Sequence, residues 1–371
     1  MKIGYDAKRA FTNTSGLGNY SRDVIRAMKD FQKDDIFLFT PKENKKLFNI
    51  SGTQIIKPNR KVDKWIKSYW RTFSISDEIN RLGLDVFHGL SNELPFGLNR
   101  HTKTVITIHD LIFKRFPEWY NYFDRKIYDQ KVKFGVERAD KIIAISEQTK
   151  RDIIHYYNIP SEKIEVVYQT CNEAFKSKAK KKLTERVKEK YNLSSDFLLY
   201  VGTIEPRKNA LKIVKALHSY NIDIPLIIIG KATEYSKQIK EYINNNGLNL
   251  RVKMLHQVTQ EELPVFYQQA KVFIYPSLFE GFGIPIIEAL YSGTPVITSK
   301  GGCFPEAGGP STVYIDPENH DELANALIDL LNDKQKRKKM AESGKEYVKK
   351  FDSEVVTKNL HQLYERLVSN N

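Results

Sequence analysis

Pro276-Ser277-Leu278-Phe279-Glu280-Gly281-Phe282-Gly283-Ile284-Pro285-Ile286-Ile287-Glu288 follows the apolar run Val272–Tyr275. That run has the length and composition of a strand, and the Ile286–Ser292 stretch behind the glycines reads as a helix. Gly281 and Gly283 allow a tight turn and close backbone approach. Pro285 suits the first turn of a helix, where its missing N–H costs nothing. A glycine-rich turn that opens a helix aims free N–H groups at one spot and favours an anion there. Glu280 before the turn and Glu288 inside the helix bracket that spot and are placed to accept hydrogen bonds from hydroxyls. On local physics alone, this stands level with a structural strand–turn–helix that carries two surface acids.

The same alternation extends outward. Phe197–Val201, Leu226–Ile229, Val252–Leu255, Val296–Thr298 and Val313–Ile315 read as strands, with helices at Ala210–Ser219, Ser236–Asn245 and Glu261–Gln269. The first half repeats the rhythm, with strands Ile3–Tyr5, Ile36–Phe39, Val86–Phe87, Val105–Ile108, Ile142–Ile145 and Ile164–Val167 and helices such as Tyr20–Lys29 and Asp124–Val136. Strands alternating with helices predict parallel sheets covered on both faces. The chain of 371 residues has room for two such domains. The expected class is α/β, with two Rossmann-like domains facing a cleft: an N-terminal domain over 1–175, a basic linker over 176–193, a C-terminal domain over 194–352, and a last helix over 353–371. Ligands of such sheets bind beyond the carboxyl ends of the strands.

Three further constellations stand where that rule puts them. Val201-Gly202-Thr203-Ile204-Glu205-Pro206-Arg207-Lys208-Asn209 ends the first strand of the second half. Adjacent Arg207 and Lys208 suit a diphosphate, Arg as a fork and Lys as a point charge. Taken alone, the pair also fits a solvated loop. Gly16-Leu17-Gly18-Asn19-Tyr20 opens the first helix, and a lone glycine pair is a weak signal. His109, in Thr107-Ile108-His109-Asp110-Leu111, ends an apolar strand, where a single histidine is more often structural than catalytic.

The Glu280–Glu288 segment, continued through Ala289-Leu290-Tyr291-Ser292-Gly293-Thr294-Pro295-Val296-Ile297, resembles the glutamate-seven-residue-glutamate signature of retaining glycosyltransferases of the GT-B fold, especially glycosyltransferase family 4. The resemblance implies that Glu280 contacts the donor sugar, Glu288 the ribose, and the amides of Gly281, Phe282, Gly283 and Ile284 the diphosphate. It implies that Arg207 and Lys208 form the diphosphate loop, with Lys208 the stronger candidate. Relatives that place an arginine right after the strand glycine differ from this chain, which has Thr203 there. It implies that Gly16 and Gly18 close over the donor phosphates, that His109 faces the donor sugar, that Val258 meets the base through backbone atoms, and that the helix over 353–371 crosses back to the first domain. The expected catalytic set is His109, Glu280 and Lys208. The expected activity is transfer of a hexose, with weak preference for GDP-mannose over a UDP-hexose, to a glycan or lipid-linked acceptor in surface polysaccharide synthesis. A non-catalytic sugar-nucleotide-binding protein and an epimerase are the alternatives.

No Asp-x-Asp in a credible loop and no His/Cys cluster argues for a metal, so neither metal nor cofactor is expected beyond the nucleotide sugar as substrate. The formal charge of +14 attracts anions but is uneven. Nine bases oppose two acids between Lys42 and Arg71, and eight oppose two between Lys176 and Lys190. These bases are not set in a nucleic-acid reader motif, so no nucleic-acid partner is expected. Residues 60–73 mix Lys64, Lys67 and Arg71 with Trp65, Tyr69, Trp70 and Phe73, a pattern that suits either an ordinary amphipathic surface helix or peripheral contact with an anionic membrane. Two cysteines, the absence of a signal-like leader and the absence of a spanning apolar run predict a cytoplasmic protein.

Overall fold

The computed structural model describes residues 1–59 and 69–369. The chain forms two compact units, one made of Met1–Thr170 with the segment from Phe351 onward, the other of Cys171–Lys350. In the first unit, β1 (Lys2–Asp6), β2 (Asp35–Phe39), β3 (Gln54–Ile56), β4 (Val86–Gly89), β5 (Lys103–Ile108), β6 (Lys141–Ala144) and β7 (Ile164–Val166) form a parallel sheet in the order β3-β2-β1-β4-β5-β6-β7. In the second, β8 (Leu198–Val201), β9 (Leu226–Ile229), β10 (Val252–Leu255), β11 (Val272–Tyr275), β12 (Val296–Ser299) and β13 (Val313–Ile315) form a parallel sheet in the order β10-β9-β8-β11-β12-β13. Each chain winds outward to one edge and then restarts on the other side of its first strand. The order therefore reverses between β1 and β4, and again between β8 and β11, and crevices open at such switch points.

Strand side chains alternate between two buried faces, as a covered parallel sheet requires. In β2, Ile36 and Leu38 join one core with Ile3, Tyr5 and Ile25, while Phe37 and Phe39 join the other with Phe87, Ile106 and Val136. The helix Ser353–Ser369 belongs to the first of these cores: Val356, Leu360, Leu363 and Tyr364 share one face at helical spacing and are buried there. Complete burial of one such side chain is worth about 1.5–3 kcal/mol, enough to hold the C-terminal helix on the first unit.

Two expectations change. The boundary falls after Thr170, not 175, and the stretch 176–193 is no linker, because Lys181–Tyr191 is a helix of the second unit. Val187 is buried, Tyr191 packs on Phe266, and Lys190 pairs with Glu262 at 2.7 Å. A run of bases suggests a solvated segment, yet Leu183, Val187 and Tyr191 at i, i+4 and i+8 supply an apolar edge. Within 60–73, residues 60–68, including Lys64, Trp65 and Lys67, lie outside the described residues. Of the rest, Tyr69 and Phe73 are exposed, but Trp70 is buried in the core and Arg71 pairs with Asp6 and with Glu93 at 3.0 Å. Arg71 is thus spent inside the first unit and is not part of a membrane-facing charge. Among the described residues, no helix is long and apolar enough to cross a membrane.

Candidate functional site

In the second unit, the turns after β8 and β11 lie side by side at the switch point. Pro206–Lys208 make a single turn that Asn209 closes in the left-handed conformation before the helix Ala210–Ser219. The backbone N–H of Leu278 donates to the Arg207 carbonyl at 2.8 Å, which ties the two turns together. Four side chains then converge on one carboxylate oxygen, Glu280 Oε1: Tyr275 donates from its hydroxyl at 2.7 Å, Ser277 at 3.0 Å, Arg207 Nη1 lies at 3.0 Å and Lys208 Nζ at 3.6 Å. Arg207 also donates to Glu205 at 2.7 Å and to the Phe279 carbonyl. The Cys303 thiol donates to the Glu280 carbonyl at 3.2 Å.

Burial works against charge on Glu280, but Lys208 and Arg207 outweigh it and hold the carboxyl at about 2. Glu280 is therefore ionised at neutral pH and serves as an acceptor, not as a proton donor. Burial also works against charge on Arg207, and Glu280 and Glu205 reverse it, so the guanidinium stays fully charged.

Gly283 sits at φ +110°, outside the region that side-chain-bearing residues adopt, and opens the helix Ile284–Tyr291 with Pro285 in its first turn. This lets the chain reverse from Glu280 into the helix and leaves the first helical amides pointing back at the turn. Phe282 is buried, so only its backbone can serve a ligand. Glu288 is half-buried one turn on, and the buried Tyr267 hydroxyl donates to its Oε2 at 2.9 Å. Val258 is half-buried in the loop after β10, which Glu262 anchors by accepting from the Thr259 N–H at 3.1 Å.

The remaining candidates belong to the first unit. Gly16 opens the helix Gly16–Phe31, and Gly18 lies against the Asn13 carbonyl, where a Cβ would come within 1.9 Å of the oxygen. Arg22 clamps this loop by donating to the Asn13 carbonyl at 2.8 Å and the Ala10 carbonyl at 2.9 Å. His109 follows β5 and is buried. Its Nε2 faces the Leu90 carbonyl at 2.9 Å, and its Nδ1 faces the Gln169 amide nitrogen at 3.1 Å. Those partners require a proton on Nε2 and a lone pair on Nδ1. The ring stands edge-on to Tyr20, with centroids 4.6 Å apart. Burial lowers its pKa to about 4, the Leu90 carbonyl opposing and Arg9 assisting, so it is neutral at pH 7. Asp110 braces the loop by accepting from the Ile112 N–H at 3.2 Å.

The second unit thus brings Glu280, Arg207 and Lys208 together and puts Gly281, Phe282, Gly283, Ile284 and Glu288 on the same turn and helix. Val258 lies farther along the carboxyl edge, after the edge strand β10. The first unit holds Gly16, Gly18 and His109. Sequence reasoning missed Tyr275, Ser277, Glu205, Tyr267 and Gln169. Tyr275 and Ser277 had a local signal, as polar groups flanking the strand end five and three residues before Glu280. Tyr267 and Gln169 had none, since only the fold brings them to Glu288 and His109. Among the described residues no group of three or more His, Cys, Asp or Glu is placed to hold a metal.

Two family models match: glycosyltransferase family 4 over residues 14–174 and glycosyl transferases group 1 over residues 181–347. The chain is 30% identical over 286 residues to an O-antigen chain mannosyltransferase of Salmonella typhimurium, covering 75% of this chain and 72% of the relative. It is 29% identical over 288 residues to O-antigen chain mannosyltransferase B of Escherichia coli, covering 76% and 74%. A glycosyltransferase structure from Rickettsia africae superposes with a TM-score of 0.78 at 18% identity, covering 100% of this chain and 99% of that one. The two doubly wound units are those of the GT-B fold. With family models matching along most of its length, the chain belongs to the family 4 and group 1 glycosyltransferases.

Proposed function

We propose that this enzyme transfers mannose from GDP-mannose to a hydroxyl of a glycan or lipid-linked acceptor during bacterial surface polysaccharide synthesis, with retention of anomeric configuration and without metal or cofactor. The observation that carries the reading is the convergence of Arg207, Lys208 and the Gly281–Ile284 turn around the ionised Glu280. Transfer leaves a nucleoside diphosphate, whose growing charge needs preorganised cations and amides. Arg207 is held by Glu205, Glu280 and the Phe279 carbonyl, which fixes its fork, while Lys208 keeps a longer contact and is the arm that swings to phosphate. The donors on Glu280 all meet Oε1, so Oε2 is the oxygen offered to a sugar hydroxyl. Glu288 takes the ribose, and Val258 the base. His109 is neutral, with both ring nitrogens engaged by Leu90 and Gln169, and does not act as a base. The mannosyltransferase relatives support the choice of sugar.

A thermal-shift panel of GDP-mannose, UDP-glucose and UDP-N-acetylglucosamine tests the donor. A ligand at 100 times its dissociation constant stabilises by about 2.7 kcal/mol. Stabilisation by a UDP-sugar alone moves the donor away from GDP-mannose. Release of GDP with acceptor, abolished by chelators, overturns metal independence. Conversion of the free sugar nucleotide to an epimer, or binding with no release, replaces the transferase by one of the alternatives.

The same reading places the enzyme in the cytoplasm, in peripheral contact with the membrane through the exposed Tyr69 and Phe73, whose rings pack 5.2 Å apart. Co-sedimentation with anionic vesicles that survives Phe73→Ser and Tyr69→Ser together removes this contact.

A further inference from the structure

The first sheet has its own switch point, between β1 and β4, and a cavity of about 280 Å³ opens there. Its size falls near the lower end of ligand pockets. Asp6, the last residue of β1, and Glu93, in the loop after β4, mark its charged end, with Arg71 and Lys131. These groups answer one another: Arg71 joins Asp6 and Glu93, the latter at 3.0 Å, and Lys131 lies 3.5 Å from Glu93. Two acids facing two bases leave this end no strong pull on an anion or a cation.

Beyond this end, Thr72 and Gln130 are the polar lining residues and the others are apolar. Ile75, Phe87 and Leu94 form a buried floor, and Phe96, Ile127 and Phe134 form walls. Phe96 stacks on Phe134 at 3.8 Å between centroids, and Phe73 stacks on Phe96 at 5.3 Å, followed by Tyr69. Tyr69, Phe73, Phe96 and Ile127 are all exposed, Ile127 by 57%. An apolar hollow thus continues into an apolar track on the surface, an arrangement that leaves large side chains in water unless something covers them. A sugar has few apolar faces and many hydroxyls; Thr72, Gln130 and the charged end can meet a few of them, but the stacked rings of Phe96 and Phe73 that carry the hollow onto the surface offer them none. A hydrocarbon chain matches both the hollow and the track.

We infer that this cavity binds the first part of a hydrocarbon chain, with the remainder along Phe96, Phe73 and Tyr69, so that an amphipathic acceptor is held by its tail. The assignment of the ligand as an acceptor rests on the transferase reading; the binding of a chain does not.

The test titrates the full-length protein with farnesyl phosphate, dodecyl phosphate and methyl α-mannoside. Two variants keep the fold in view, Ile127→Asp on an exposed helix position and Phe96→Ser in a loop, each checked by its melting temperature. Losing one buried apolar side chain contact corresponds to roughly a tenfold weakening. Expected is binding of at least one of the two phosphates to the wild type, weakened about tenfold or more in both variants. Farnesyl phosphate alone identifies an isoprenoid source, dodecyl phosphate alone an acyl source. Binding of neither, equal binding in the variants, or variant-sensitive binding of the mannoside alone overturns the inference. The nucleotide-sugar thermal-shift panel on the same samples separates the two readings: chain binding with no stabilisation by any nucleotide sugar defeats the transferase reading only, and stabilisation by a nucleotide sugar without chain binding defeats the cavity only.

Discussion

The Tyr275 hydroxyl donates to Glu280 Oε1 at 2.7 Å, from the last residue of β11 to the first acid of the turn it feeds. Burial keeps that phenol protonated, so the bond is charge-assisted throughout the neutral range. Tyr275→Phe removes the donor and keeps the ring in the core. A hydrogen bond to a charged group contributes about 1.5–3 kcal/mol to the fold, so the melting temperature should drop by several degrees, and a loss of the same size in the orientation of Glu280 lowers kcat/KM roughly ten- to a hundredfold. An unchanged kcat/KM would show that Ser277 and Arg207 alone orient Glu280.

Glu280→Gln should be more severe, and its effect on stability depends on pH. The folded carboxyl sits at about 2 against an ordinary 4.5. Its contribution is therefore complete above 4.5 and is lost as pH falls from there toward 2. The difference amounts to about 3 kcal/mol at neutral pH. Glu262, also held at about 2, titrates over the same window, so only the comparison between wild type and variant isolates Glu280. Urea midpoints at pH 7, 4.5 and 3 should show the variant less stable than wild type at pH 7 and the gap narrowed to about half or less by pH 3. A gap that stays constant with pH would mean that the carboxylate charge is not what matters.

Much of this site can be read from the chain, and the unread part has a common cause. Apolar runs at strand length mark every strand but one, because a covered parallel sheet needs apolar residues on both faces; the exception is the three-residue edge strand β3, Gln54–Ile56, which is too short to stand out from its neighbours. Glu280 and Glu288 are readable because a turn and its helix fix them locally. Arg71 is not readable in the same way. It lies in a strongly basic stretch, yet its partners Asp6 and Glu93 are 65 residues before it and 22 after it, and only the sheet brings them near. The same holds for Tyr267 on Glu288 and for Tyr364, whose hydroxyl lies 2.6 Å from His88 across 276 residues. Charge and hydroxyl placement at long range depends on the register of packed elements, which no local pattern carries.

His88 and His109 predict a second acid transition, in the first unit. Burial lowers His88 to about 3, with His109 assisting, and lowers His109 to about 4. His88 is held between the Tyr364 and Thr107 hydroxyls at 2.6 and 2.7 Å. The unfolded chain takes up these protons near 6.5, while the folded chain refuses them. Stability is thus complete above 6.5 and falls toward 4 and 3, by up to about 1.4 kcal/mol per pH unit for each ring. His88→Gln should flatten the loss between pH 6.5 and 4. Because His109 stays neutral, kcat should show no limb near 6.5 from this ring; a limb that vanishes in His109→Asn would restore it as a base.

Gly16 and Gly18 look equivalent in the sequence and are not equivalent in the fold. A Cβ at Gly16 meets nothing within 4 Å, whereas one at Gly18 would strike the Asn13 carbonyl that Arg22 also holds. Gly18→Ala should therefore destabilise by about 1–3 kcal/mol, the usual cost of overpacking, because the obstacle is backbone and cannot rotate away. Gly16→Ala should leave stability equal or slightly raised, since alanine favours the helix it opens. If the open surface at Gly16 receives the donor phosphates, the added methyl blocks their approach. Gly16→Ala would then keep its melting temperature and lose GDP-mannose affinity, whereas Gly18→Ala would lose both. Full affinity in Gly16→Ala would place the phosphates elsewhere and leave the opening glycine without a part in binding.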